Sequence, residues 1–426
     1  MTDLKKHLND KNENKQCENK EEIIMNQPIL WVENNMPKTE DSQLKVMALE
    51  EVKKARTFHE SFPQYSKTPL QKLEKMAEYL GLGEVYIKDE SYRFGLNAFK
   101  VLGGSFAMAR YIAKQTGKDV SELPYHVLTS DKLREEFGQA AFFTATDGNH
   151  GRGVAWAANR LKQKAVVYMP KGSTETRLNN IRKEGATATI EEVNYDECVR
   201  MAAAAAAKTE NGVVVQDTAW DGYEEIPAWI MQGYGTMAME ANEQLSEYGC
   251  GRPTHVFVQA GVGSLAGAVQ GYFANRYPEN PPTVVVVEAD VAACLYKGAA
   301  AGDGDPRIVD GDMQTIMAGL ACGEPNTISW DILKNHVKVF ISAPDWAAAK
   351  GMRMLSAPIK GDPQVTSGES GAAPFGVLAC IMTMDEYKDL REAIGLDSSS
   401  RVLLFSTEGD TDPERYKNII WEGKER

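Results

Sequence analysis

The sequence predicts an α/β protein of the doubly wound type, and three observations carry that prediction. From about residue 68, short apolar runs rich in β-branched residues alternate with longer amphipathic segments. The runs are continuous rather than alternating in polarity, which suits parallel strands buried on both faces, with the intervening segments as crossover helices. Glycine-bearing loops follow several runs, at the carboxyl ends of strands, where open α/β sheets bind their ligands.

Residues 1–24 are polar, rich in Lys, Asn and Glu, and too poor in large apolar groups to offset the entropy of folding; they read as a flexible tail. The strand candidates then follow in order as EVYIKDE, AVVYMP, ATATIEE, GVVVQDT, THVFVQA, TVVVVEAD and RVLLFSTEGD. MAAAAAAKTENG is the clearest helix, with strong helix formers and a glycine stop expected at Gly212.

At 426 residues and 43% apolar content, the chain is long enough for two domains and a large core. A net charge of -13 with a pI near 5.2 argues against nucleic acid or an anionic membrane as partner. No apolar run reaches the roughly 18 residues of a spanning helix, and the N-terminus lacks the apolar core of a secretion signal. These features suggest a cytoplasmic protein. Six scattered cysteines form no C-x-x-C pair, so no metal is expected as the central cofactor. His150 sits in a glycine-rich turn, but a lone histidine supports no catalytic triad.

Four loops stand out: GLNAFKVLGG, TATDGNHGRGVAW, VQAGVGSLAGAV and FSTEGDTD. In the first, Lys100 lies between Phe99 and Val101, where a surface lysine does not normally sit. Gly103 and Gly104 follow, so the helix carrying Lys100 is expected to begin or bend where a backbone can approach a ligand. In the third, Gly261, Gly263 and Gly267 open a helix after a strand, and free N–H groups there form a phosphate cradle.

That cradle admits a rival. The spacing also fits G-x-G-x-x-A, and Glu288 ends the next strand about where a dinucleotide fold places its ribose-binding acid, so a nicotinamide-dependent oxidoreductase competes. A glycine pattern serving only strand–helix packing is the plainer alternative. The second glycine-bounded turn, with Asp147, Asn149 and His150 together, has no use in a dinucleotide site. A lysine to form an imine, an asparagine for a phenolic oxygen, a phosphate cradle and hydroxyls for a ring nitrogen together describe a pyridoxal phosphate site.

The order of these loops resembles the tryptophan-synthase β-like, or fold type II, pyridoxal phosphate enzymes, and most nearly the diaminopropionate ammonia-lyase family. KDESYRFGLNAFKVLGG, TDGNHGRGVAWAA, VQDTAWDGYEEIPAWIMQGY, QAGVGSLAG, TIMAGLACGEPN, SGESGA and STEGDTDPERY carry the resemblance, from about residue 68 to the C-terminus. It implies two doubly wound open-sheet domains with the cofactor in the cleft between them: residues 25–101 and 231–426 as the large domain, 102–230 as the small one. It implies that Lys100 forms the Schiff base, that Asn149 binds the ring hydroxyl, and that Gly261, Val262, Gly263, Ser264 and Leu265 hold the phosphate. Thr407 is placed at the ring nitrogen, with Ser406 as a possible substitute. The family's usual state is a homodimer. Whether Cys294 and Cys322 pair is left open.

Two departures from the broader dehydratase pattern point to the substrate. Asp147 replaces the small or hydroxyl residue ahead of GNH, and Asp217 ends the GVVVQD run. Buried carboxylates need partners. The second ammonium of 2,3-diaminopropionate supplies one, whereas serine or threonine would leave an acid unpaired. The plainer reading of Asp217 is a cap on the helix that follows, a role for which Asp221 is better placed. The expected reaction is α,β-elimination of D- or L-diaminopropionate to pyruvate and two ammonia, with Lys100 and Asp147 as bases on opposite faces. A related serine or threonine lyase, the oxidoreductase and a ligand sensor without catalysis are the alternatives.

Overall fold

A computed structural model describes residues 28–39, 43–146 and 148–425. The tail at 1–24 and Asp147 lie outside the described residues. Among the described residues, eleven strands form two sheets. β1 (Leu30–Glu33), β2 (Leu70–Lys72), β3 (Glu84–Asp89), β8 (His255–Gln259), β9 (Thr283–Ala289), β10 (Val339–Ala343) and β11 (Arg401–Ser406) make a seven-stranded sheet in the order β1-β10-β9-β8-β11-β3-β2. β4 (Ala141–Ala145), β5 (Lys164–Met169), β6 (Thr187–Ile190) and β7 (Gly212–Val214) make a four-stranded sheet in the order β6-β5-β4-β7.

The central strands of both sheets pair in parallel, and every residue of β4, β8 and β10 is buried, so their apolar runs are continuous because both faces are covered. Only the edge strands β1 and β2 run antiparallel to their neighbours, β10 and β3. The chain belongs to the α/β class, and the seven predicted runs coincide with β3, β5, β6, β7, β8, β9 and β11. The alanine-rich helix spans Tyr195–Ala207, but its stop is not Gly212. Lys208 is the C-cap, and Gly212 opens β7, where a Cβ would lie 2.2 Å from the Ala206 carbonyl oxygen. Close approach, not helix termination, demands that glycine.

Two helices connect the layers. Helix Val101–Thr116 packs against helix Glu225–Glu247 on one side and helix Asn149–Arg160 on the other. Its Gly103 and Gly104 do not bend it; they sit in a regular helix whose neighbours press close. A Cβ on Gly103 would lie 2.6 Å from Ile230 and Tyr234, one on Gly153 2.7 Å from the Val101 nitrogen, and one on Gly233 2.4 Å from the Leu102 oxygen. The glycines set interhelical distance and thereby the position of Lys100, the residue immediately before the helix. A single apolar cluster runs from Phe142 and Val167 on the small sheet through Phe106 and Tyr234 to Val256 and Val286 on the large one.

The loop leading into Lys100 is anchored by buried charge. Arg93 bonds Glu90 at 2.8 Å and Glu240 at 2.9 Å, and Lys88 meets Glu240 at 2.7 Å, all within the interior. Breaking any of these would strand a buried charge. Phe94 and Asn97 adopt left-handed backbone angles, φ 50° and 59°, which a side chain rarely takes without such anchoring.

Candidate active site

A cavity of about 370 Å³ lies where the carboxyl ends of β4, β8 and β11 converge with the start of helix Val101–Thr116. Its wall includes Lys100, Asn149, Asp217, Gly261, Val262, Gly263, Ser264, Leu265 and Thr407. Of the predicted site residues within the described chain, all line this one space.

Lys100 Nζ bonds Asp217 Oδ2 at 2.5 Å. The lysine side chain keeps 22% of its exposure against 7% for the aspartate, so the amine faces the cavity and the carboxylate stands behind it. Burial alone would push the Asp217 carboxyl up; the Lys100 ammonium, the His150 ring and the Lys100 hydrogen bond outweigh it and hold the group well below the usual carboxylate range. Helix Glu225–Glu247 begins eight residues after Asp217 and takes no side-chain cap, so neither Asp217 nor exposed Asp221 caps it.

The segment after β7 fixes Asp217 by its neighbours. Gln216 donates from Nε2 to the Ala145 carbonyl at 3.2 Å and accepts from the Ala145 N–H at 3.1 Å, extending the sheet by a side chain. The Asp217 carbonyl accepts from the Ser264 hydroxyl, and the Tyr234 hydroxyl reaches Oδ2 at 3.4 Å. His150 donates from Nε2 to the Val215 carbonyl at 2.9 Å, which turns Nδ1 to 3.9 Å from Asp217. Sequence reasoning set His150 aside; only the β7 register brings it to the acid.

The glycine loop has the form of an anion cradle. Gly263 adopts φ +99°, and a Cβ there would meet the Ser329 hydroxyl at 2.9 Å. Helix Ser264–Arg276 closes its first turn with the Gly267 N–H on the Gly263 carbonyl, so the N–H groups before it have no intrahelical acceptor. Gly267 itself serves packing, since its Cβ would lie 2.6 Å from Ser329 Cβ. Glu288, proposed for a ribose, is turned away: its carboxylate accepts the backbone N–H groups of Leu295 and Tyr296 at 2.8 and 2.6 Å. Burial pushes its carboxyl up to about 8, a setting for helix capping rather than a dinucleotide.

Thr407 presents a donor to the cavity. Gln259 Nε2 donates to Thr407 Oγ1 at 2.7 Å and to the Phe405 carbonyl at 3.1 Å. A carbonyl can only accept, so the amide orientation is fixed and the Thr407 proton is left to point elsewhere. Ser406 points to the opposite side of β11 and bonds Ser367 at 2.8 Å, so it does not substitute for Thr407. No disulfide joins Cys294 and Cys322; the Cys294 Sγ lies 3.7 Å from the Cys322 carbonyl oxygen. Among the described residues no cluster of His, Cys, Asp and Glu is arranged to hold a metal, and no helix is long and apolar enough to cross a membrane.

These features fit pyridoxal phosphate on the structure's own terms: an anion cradle, a hydroxyl donor behind it, and a lysine amine facing the same space. The family model described as pyridoxal-phosphate dependent enzyme matches residues 62–404. The chain belongs to the pyridoxal-phosphate-dependent enzymes. Within that family it is 54% identical over 368 residues to the diaminopropionate ammonia-lyase of Salmonella typhimurium, covering 86% of this chain and 91% of that protein. The crystal structure of the Escherichia coli diaminopropionate ammonia-lyase in complex with D-serine superposes with a TM-score of 0.86 at 44% identity, over 93% of this chain and 98% of that one. The same Escherichia coli enzyme in complex with an aminoacrylate-PLP azomethine reaction intermediate gives a TM-score of 0.83 at 43% identity, over the same 93% and 98%.

SGESGA and STEGDTD carry two acids whose role is visible only in the fold. Glu369 and Glu408 face each other there, beside the cavity. Burial first and Glu408 second push the Glu369 carboxyl up to about 7, against the opposing pull of Arg415 and Arg177. The folded state therefore keeps a proton that the unfolded chain releases near its ordinary value of 4.5. Stability contributed by this proton is complete at low pH and is lost as pH rises toward 7, with a slope of up to about 1.4 kcal/mol per pH unit. Glu369→Gln should flatten the fall in melting temperature between about pH 5 and about pH 7; Glu288 acts with the same sign in both proteins and cancels. Parallel melting curves for wild type and variant would contradict this assignment.

Proposed function

We propose that this chain eliminates ammonia from 2,3-diaminopropionate, in both D and L forms, giving pyruvate and two ammonia with the uptake of one water. The observation that carries the reading is the Lys100–Asp217 pair at 2.5 Å in the cavity wall. Asp217 is a buried anion whose cation is the lysine that the cofactor must claim. Once that amine is engaged, Asp217 needs another positive partner, because a desolvated carboxylate without one is costly. The β-ammonium of a diamino acid supplies it; the hydroxyl of serine or threonine does not.

Pyridoxal phosphate, when bound, supplies the electron sink that makes the Cα hydrogen acidic. The residues then divide the remaining work. The backbone from Gly261 to Leu265 holds the phosphate, Asn149 binds the ring oxygen, and Thr407 donates to the ring nitrogen. A hydroxyl there leaves the nitrogen unprotonated, which tempers the sink and favours loss of a good β leaving group. Lys100, released by the substrate's α-amine, takes the Cα proton on its face of the cavity. Asp147, which lies in sequence between β4 and helix Asn149–Arg160, takes it on the other. Asp217 holds the β-ammonium as it departs as neutral ammonia. By its family resemblance the enzyme works as a homodimer on a small amino acid, and its net charge of -13 supports a cytoplasmic enzyme with no nucleic acid or membrane partner.

Asp217→Asn removes the charge and keeps the shape. Loss of a charged hydrogen bond is worth about 10-fold to 100-fold, so kcat/KM on diaminopropionate should fall by that much more than on D-serine. Equal losses on the two substrates would mean that Asp217 only positions Lys100. The enantiomers present their α-hydrogens to opposite faces while sharing the other anchors. Asp147→Asn should therefore reduce turnover of D-diaminopropionate by about 10²-fold or more and spare the L form. A parallel loss on both forms would remove Asp147 as a face-specific base.

A further inference from the structure

The loop after β11 holds a carboxylate that none of these steps uses. Glu408 is buried, its Oε2 accepts from Asn149 Nδ2 at 2.5 Å, and its Oε1 accepts from the Ser370 N–H at 3.2 Å. The protein makes room for this group: a Cβ on Gly368 would lie 2.9 Å from Glu408 Cγ. Its backbone is held as well. The Gly368 N–H donates to the Glu408 carbonyl at 2.9 Å, and Glu408 pairs with Ala98, two residues before Lys100, in an antiparallel bridge.

A carboxylate offers acceptors only, whereas the Asn149 amide presents oxygen on one branch and two N–H groups on the other. Contact with Glu408 therefore selects the nitrogen branch. One Nδ2 hydrogen is used, and the second remains on an atom of a residue that lines the cavity. The selection needs Glu408 charged, because a protonated carboxyl would donate to Oδ1 and allow the amide to turn. Glu369 meets that need by taking the proton of the pair, because its burial and the neighbouring Glu408 charge outweigh the pull of Arg177 and of Arg415, whose Nε lies 3.7 Å from its Oε1.

We propose that Glu408 is a positioning residue for cofactor recognition: its carboxylate locks the Asn149 amide so that the remaining Nδ2–H faces the ring oxygen of pyridoxal phosphate. The proposal rests on the assignment of Asn149 to that oxygen. It places the discrimination for the ring hydroxyl in a pair of residues carried by the two sheets, the first residue of the helix after β4 and the loop after β11.

The test is equilibrium binding to cofactor-free protein of pyridoxal phosphate and of its analogue lacking the ring hydroxyl, 3-deoxypyridoxal phosphate, followed by tryptophan fluorescence. Any stabilisation of the imine by the hydroxyl itself is common to all proteins compared and cancels. Wild type should prefer pyridoxal phosphate by about tenfold or more. Glu408→Ala should cut that preference to within about twofold, as should Asn149→Ala, while affinity for the analogue stays near the wild-type value. Glu408→Gln, which can still accept but can also turn, should fall between. Full preference in both Glu408 variants, with loss in Asn149→Ala, would overturn the role of Glu408 and leave the Asn149 assignment standing. Full preference in Asn149→Ala would overturn that assignment and the proposal with it. If Glu408→Ala binds neither ligand, Glu408→Gln decides alone: reduced preference supports the proposal and unchanged preference overturns it.

Discussion

The ammonium of Lys100 and the carboxylate of Asp217 stand 2.5 Å apart in a wall from which water is largely excluded, and neither charge is tolerable there alone. That constraint ties the two sheets together at the site. Lys100 is set by helix Val101–Thr116, whose approach to helix Glu225–Glu247 is fixed by Gly103 and Gly233, while Asp217 is set by the end of β7. A shift of either layer separates the charges, so the geometry of the reaction centre and the packing of the layers are one requirement.

The rest of the site is built outward from this contact. Ser264, the first residue of the helix behind the glycine cradle, donates to the Asp217 carbonyl and accepts from Asn326 Nδ2 at 2.9 Å. The glycine-loop end of the cavity is thus hydrogen-bonded to the same residue that neutralises the lysine. On the other side, the Phe99 N–H donates to the Thr407 carbonyl at 3.1 Å and the Gly409 N–H to the Asn97 carbonyl at 3.1 Å. The loop that delivers Lys100 and the loop that carries Thr407 and Glu408 are therefore laced backbone to backbone. Gly409 permits the lacing, since a Cβ there would lie 2.1 Å from Asn97 Oδ1.

Much of this was legible in the sequence because the signals are local. Seven strands could be read from continuous apolar runs, and the cradle from glycines at the start of one helix. What stayed hidden depends on contacts between distant segments. The edge strands β1 and β2 are four and three residues long, half-buried and without a distinctive pattern. Gly103 and Gly104 looked like a bend because sequence cannot show Ile230, Tyr234 and Val154 pressing on them. His150 and Glu408 carry no local mark of function; each is brought to the site by a strand far away in the chain, β7 and β11. Ser406 and Thr407 could not be separated without the side-chain alternation of β11, which sends one to Ser367 and the other to the cavity.

The central claim is that the amine held by Asp217 is the one that bonds the cofactor. Borohydride reduction of the protein loaded with pyridoxal phosphate, followed by proteolysis and mass spectrometry, tests it directly. The account predicts loss of the yellow colour and one phosphopyridoxyl adduct, on the peptide that contains Lys100. An adduct confined to another lysine of the cavity wall, such as Lys171, or a loaded protein with no reducible adduct, would contradict it.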